Sequence, residues 1–157
     1  MEHLRKLIDH MGWADERVIA ALQAAEPVPQ PILTIFAHVL AAEHVWQARL
    51  AGKKPELPVW PELSLAQCVE LAARNAAALR DFVATLSPAD LGRPVHYLNS
   101  AGQEFSTAVE DILLQVALHG SYHRGQIAAA LRQHDRVPSP TDYIQFIRGV
   151  PAATRRS

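Results

Sequence analysis

The sequence predicts an all-α protein, a four-helix bundle with a short β-hairpin before the last long helix and a short C-terminal helix. Three observations carry that expectation. Four stretches place apolar residues at steps of three and four, the spacing that lines one face of an α-helix. The segments between them are rich in proline, which lacks the amide donor a helix needs and constrains the residue before it. One of those segments is a long cross-connection, a feature that helix bundles accommodate.

The first helix is expected over residues 3–25. Leu4, Leu7, Met11, Val18 and Leu22 share one broad stripe, Asp15, Glu16 and Arg17 lie opposite, and Trp13 is expected to pack in the core. Three prolines within residues 26–31 make a turn. A second helix over 32–51 carries Ile32, Ile35, Phe36, Val39, Ala42, Trp46 and Leu50 and stops at Gly52. Pro55, Pro58 and Pro61 keep 53–61 extended. Ser64 with Gln67 forms a capping box for a third helix, which runs through Leu65, Val69, Ala72, Leu79, Phe82, Val83 and Leu86 to Ser87-Pro88. Residues 95–98 and 103–105 flank the turn Asn99-Ser100-Ala101-Gly102, a hairpin signal. Thr107 and Glu110 read as a second capping box, opening a fourth helix that reaches Gln133 before Pro138 and Pro140. Residues 142–148 form a last short helix packing Tyr143, Phe146 and Ile147 on the bundle.

At 157 residues the chain is expected to be one domain, 1–157, with a single core. Its net charge is -1, and no Lys/Arg run exceeds Lys53-Lys54 or Arg155-Arg156, so nucleic acid is excluded as a partner for want of a basic face. Neither an apolar run long enough to span a membrane nor a secretory leader is visible, so no membrane partner is expected. The single cysteine, Cys68, has no intrachain partner and is read as a small buried hydrophobe; that fits a cytoplasmic protein.

The chemistry concentrates in the fourth helix. His119 and His123 stand four residues apart, so their imidazoles emerge one above the other on the face shared with Ile112, Val116, Ile127 and Ala130. Imidazoles placed in such a seam need partners, because burying them unbonded is costly. They are either core histidines bonded to carbonyls or waters, or two ligands of one metal ion. A metal site that keeps a position open commonly takes three protein ligands. His38, at helical steps from Ile35 and Ala42, is the preferred third, and His10 is the substitute. His44 points to another face, while His96 and His134 are expected in solvent.

The segments HVLAAEHVWQARL (38–50) and HGSYHRGQI (119–127), flanked by GWADERVIAAL and PTDYIQFIR, resemble the hallmark segments of the DinB/YfiT-like family. That resemblance implies an up-down-down-up four-helix bundle. It also implies a divalent metal, nickel or zinc, held by one histidine of the second helix and two of the fourth, here His38, His119 and His123. Imidazole itself suits zinc, nickel, copper and iron alike. Glu43 lies at a position often acidic in the family and is expected in a salt bridge at the surface or behind the ligands. Arg124 is expected to anchor a helix or a carboxylate, Gly125 to permit close helix approach, Gln126 to hydrogen-bond a ligand ring, and Trp46 and Tyr122 to pack.

The family includes transferases and isomerases that use low-molecular-weight thiols such as bacillithiol and mycothiol. The expected function is therefore a metal-dependent S-transferase or hydrolase, in which the centre activates a small thiol or water for attack on an electrophilic small molecule. No side chain beside the ligands suits a general base, which favours thiol transfer. The alternative is a metal-binding stress-response bundle without catalysis. A homodimer formed by helix packing is expected in either case.

Overall fold

A computed structural model describes residues 1–149. Its elements are α1 (Glu2–Ala24), α2 (Gln30–Leu50), α3 (Leu65–Thr85), a 3₁₀ turn (Pro88–Asp90), β1 (Pro94–Leu98), β2 (Glu104–Ala108), α4 (Val109–Gln133) and α5 (Tyr143–Ile147). None of these helices is long and apolar enough to cross a membrane.

Two apolar clusters fix the topology. One gathers Val18 and Leu22 from the end of α1, Ile32 and Phe36 from the start of α2, Cys68 and Leu71 from the start of α3, and Ile127 and Leu131 from the end of α4. The other gathers Leu4 and Ile8 from the start of α1, Leu50 from the end of α2, Leu79 and Val83 from the end of α3, and Val109 and Ile112 from the start of α4. Helices α1 and α4 therefore run one way and α2 and α3 the other, an up-down-down-up bundle. Because α2 and α3 are parallel, the chain must return the length of a helix between them, about 31 Å at 1.5 Å per residue. Residues 51–64 cover this without helix or strand, a course their prolines enforce. This strap lays Leu57 and Leu63 against the first cluster and carries Val59 and Trp60 to α2.

Local chemistry accounts for most of the boundaries. Gly52, at φ +65, ends α2. The Ser64/Gln67 box opens α3, with Gln67 N–H donating to Ser64 Oγ at 3.2 Å and Ser64 N–H to Gln67 Oε1 at 2.9 Å. The expected Thr107 cap of α4 is absent. Thr107 is claimed by the hairpin, paired across from Val95, and its hydroxyl meets Tyr97 Oη at 3.1 Å; Ala108 caps α4 without a side-chain bond. The hairpin is also longer than its turn signal indicated, pairing Pro94 with Ala108 through Leu98 with Glu104.

The face of α1 expected to be solvated is partly buried. Asp15 and Arg17 are both covered, Arg17 Nε donating to the Pro140 carbonyl at 2.8 Å in the segment that follows α4. Trp13 is half-buried rather than central, packing on Phe146 with the Arg17 guanidinium over its ring. In α5 Phe146 is half-buried and Tyr143, though partly exposed, packs edge-on against His10, while Ile147 stays exposed. Cys68 is fully buried, and burial pushes its thiol up to about 11.

Candidate metal centre

Helices α2 and α4 pack side by side, and their shared seam brings His38 opposite His119 and His123. The ring centroids of His119 and His123 lie 4.5 Å apart, and that of His38 lies 5.0 and 4.8 Å from them. One ring nitrogen of each falls within 4.8 Å of the others. A tetrahedral ion with nitrogens at 2.0–2.1 Å holds them about 3.3 Å apart, so the set fits after a closure of about 1.5 Å at its widest pair. No carboxylate or cysteine joins the group among the described residues.

Hydrogen bonds fix which nitrogens face the centre. His38 Nδ1 lies 2.9 Å from the Val59 carbonyl, which can only accept, so Nδ1 holds the proton and Nε2 is left with its lone pair. His123 Nδ1 lies 2.7 Å from Gln126 Oε1 and is set in the same tautomer. Second-sphere bonds of this kind orient metal-ligating histidines. His119 has no hydrogen bond from the described residues.

Electrostatics favour the neutral, ligating form. Burial pushes His119 down to about 4, helped by His123, His38 and Arg124. Burial also lowers His38, partly offset by the Val59 carbonyl. Two aromatic rings border the site. Trp60, 57% exposed, stacks on His38 at 3.7 Å with planes 7° apart. Tyr122, expected to pack, is 66% exposed and stands edge-on to His123 at 5.0 Å.

The other histidines lie elsewhere. His10, the substitute ligand, bonds the Thr141 carbonyl through Nε2 at 2.8 Å and packs among Trp13, Tyr143 and Phe146. His44 Nε2 accepts from Glu56 N–H, while His96 and His134 are exposed as expected.

Comparison with known proteins adds the family. The family model described as "DinB family" matches residues 4–155. The chain belongs to the DinB family. It is also 27% identical over 158 residues to Protein DinB of Bacillus subtilis (strain 168), covering 88% of this chain and 90% of that protein.

Behind the histidines this DinB-family chain buries a second set of charges. Glu43, five residues past His38, turns from the metal face as expected but into the interior, 2% exposed, rather than to the surface. Its Oε2 accepts from Asn75 Nδ2 at 3.2 Å, and the same amide donates to the Leu40 carbonyl at 2.8 Å. Arg124, one residue past His123, reaches across to α1 and donates to Asp15 Oδ1 at 2.9 Å, the anchoring role expected of it. Gly120 makes room for it, since a Cβ there would lie 2.7 Å from Arg124 Nη1. Gly125, expected to allow close helix approach, has open space around it.

Burial raises Glu43 well above the usual carboxylate range, and the neighbouring Asp15 carboxylate adds to the effect. A protonated Glu43 that donates to Asp15 gives its otherwise unpartnered Oε1 a bond, and leaves Arg124 and Asp15 as one balanced ion pair. The cluster thereby ties α1, α2, α3 and α4 together directly behind His123.

The three histidines were visible in the sequence through helical spacing and the DinB-like segments. Val59 and Trp60 were not, because an irregular strap has no period to read. The only sequence signal for Trp60 is an aromatic held between Pro58 and Pro61.

Proposed function

We propose that His38, His119 and His123 bind one divalent metal ion, nickel or zinc, and that this centre serves a reaction of a small thiol with an electrophilic small molecule. The observation that carries the reading is convergence of three imidazoles, two of them held by Val59 and Gln126 with a lone pair left for a ligand bond. Bound there, a divalent ion supplies a Lewis acid able to acidify a thiol or water and to polarise an electrophile.

The chain's own residues shape what can approach. Trp60 and Tyr122 form an aromatic border on which a substrate body can lie, and His38 is held on the floor. The nearest described buried carboxylates, Asp15 and Glu43, are engaged with Arg124 and Asn75 and leave no free general base at the histidines. That supports thiol transfer over hydrolysis, which needs a base to activate water. A three-ligand set leaves an open position, which supports catalysis over a purely structural or stress-response metal site.

Leu114 and Leu118 are exposed one turn apart on α4, and a homodimer through this apolar spot belongs to the proposal, as does a cytoplasmic location. The test is conjugation of bacillithiol or mycothiol to a chromogenic aryl halide by zinc- or nickel-loaded protein. Turnover that is lost in His119→Ala supports the reading; no turnover with any thiol and metal pair, or equal turnover in the variant, overturns it.

A further inference from the structure

Beside the histidines lies a cavity of about 830 Å³, walled by the end of α2, the strap and the hairpin tip. It falls in the size range of small-molecule sites. Its wall contains Arg49, Lys53 and Lys54 and no Asp or Glu. None of the three cations is in a salt bridge among the described residues. Arg49 is held rigidly for a half-buried surface cation: its guanidinium lies 4.5 Å over the Trp46 ring and 4.4 Å over Tyr97, and Nη2 donates to the Leu98 carbonyl at 3.1 Å. One hydrogen bond leaves the rest of its five-donor fork available. The apolar part of the wall includes Leu57, Tyr97 and Trp60, and Trp60 is the ring stacked on His38.

We propose that this cavity binds an organic anion, a molecule with a carboxylate, sulfonate or phosphate on an apolar or aromatic body, with Arg49, Lys53 and Lys54 together holding the charge and Trp60 and Tyr97 holding the body. A pre-oriented guanidinium favours a planar or tetrahedral oxyanion over a neutral polar group. The aromatic walls favour an organic body over a bare ion. Only the placement of the ligand's reactive end, beyond Trp60 toward the histidines, rests on the metal-centre reading; the anion site itself does not.

The test uses two fluorescent probes that share one body, 8-anilinonaphthalene-1-sulfonate and the neutral N-phenyl-1-naphthylamine. The sulfonate is expected to bind at one site per chain, about tenfold more tightly than the neutral probe. Arg49→Met and, separately, Lys53→Gln/Lys54→Gln are expected to weaken the sulfonate severalfold and leave the neutral probe unchanged. The lysine pair is exposed, so that variant decides the matter even where Arg49→Met disturbs the hairpin. Equal affinity for the two probes, or sulfonate binding unaffected by the lysine variant, overturns the proposal. Displacement by inorganic phosphate at concentrations comparable to the sulfonate's would reassign the cavity to a bare anion and overturn the organic-ligand claim.

Repeating the titration in His119→Ala, beside zinc uptake by the wild type, separates the two readings. Zinc uptake without charge preference between the probes sinks only the cavity. Charge-selective binding without zinc uptake sinks only the metal centre.

Discussion

Arg124→Met removes the cation from a pair whose side chains are 1% and 3% exposed and meet at 2.9 Å. Water cannot compensate at that depth, so the substitution leaves the Asp15 carboxylate buried without its counter-charge. Removing one partner of such a pair costs about 3–5 kcal/mol. Unfolding entropy of ~2.1 cal/mol/K per residue gives ~0.33 kcal/mol/K for a chain of this length, so the melting temperature should fall by about 9–15 °C. Asp15→Asn in the same background removes the stranded charge, and the Glu43 hydroxyl can still donate to the new amide oxygen. The double variant should therefore lose less than the sum of the singles, with a coupling of about 2 kcal/mol. Urea melts of the four proteins measure that coupling. Additivity within about 0.5 kcal/mol would refute the ion pair as the element joining α1 to α4.

Three further outcomes follow from the same structure. Gln126→Leu deprives His123 of its partner and should weaken zinc binding by about 10–100-fold in a chelator competition, with little change in melting of the metal-free protein. Glu43 holds its proton more tightly folded than unfolded, so its contribution is complete below the ordinary Glu range and is lost as pH rises through the raised folded value. Glu43→Gln keeps a donor for Asp15 without a titrating proton, so its melting temperature relative to wild type should climb between pH 5 and pH 9; a constant gap would count against a protonated Glu43. Leu79→Ala empties a fully buried site in the second cluster and should cost about 2–5 kcal/mol in a urea melt.

Regular periodicity carried most of the fold into the sequence. Each long helix buries a continuous face, so its apolar residues repeat at three and four, and the Ser64 box and Gly52 stop are local enough to read by themselves. The Thr107 cap failed because a hairpin formed by residues ten or more positions apart competed for the same residue, and local spacing cannot see that partner. Burial of Asp15 was invisible for a related reason, whereas a place behind the ligands for Glu43 and a carboxylate partner for Arg124 were among the expectations. Pattern reading places a charge such as Asp15 in solvent, and only tertiary packing shows that it pairs with Arg124 inside the bundle, beside a Glu43 that accepts from Asn75. At the site, the histidines sit on helices and so were legible, whereas the carbonyl of Val59 and the ring of Trp60 arrive on a strap whose course is set by the parallel arrangement of α2 and α3.

Elemental analysis of the untagged protein after zinc or nickel loading tests the central claim most directly, run beside His38→Ala, His119→Ala and His123→Ala. The three-histidine centre requires about one divalent ion per chain in the wild type and loss of most of it in each variant. A wild type that takes up no metal, or variants that keep it, would contradict the assignment.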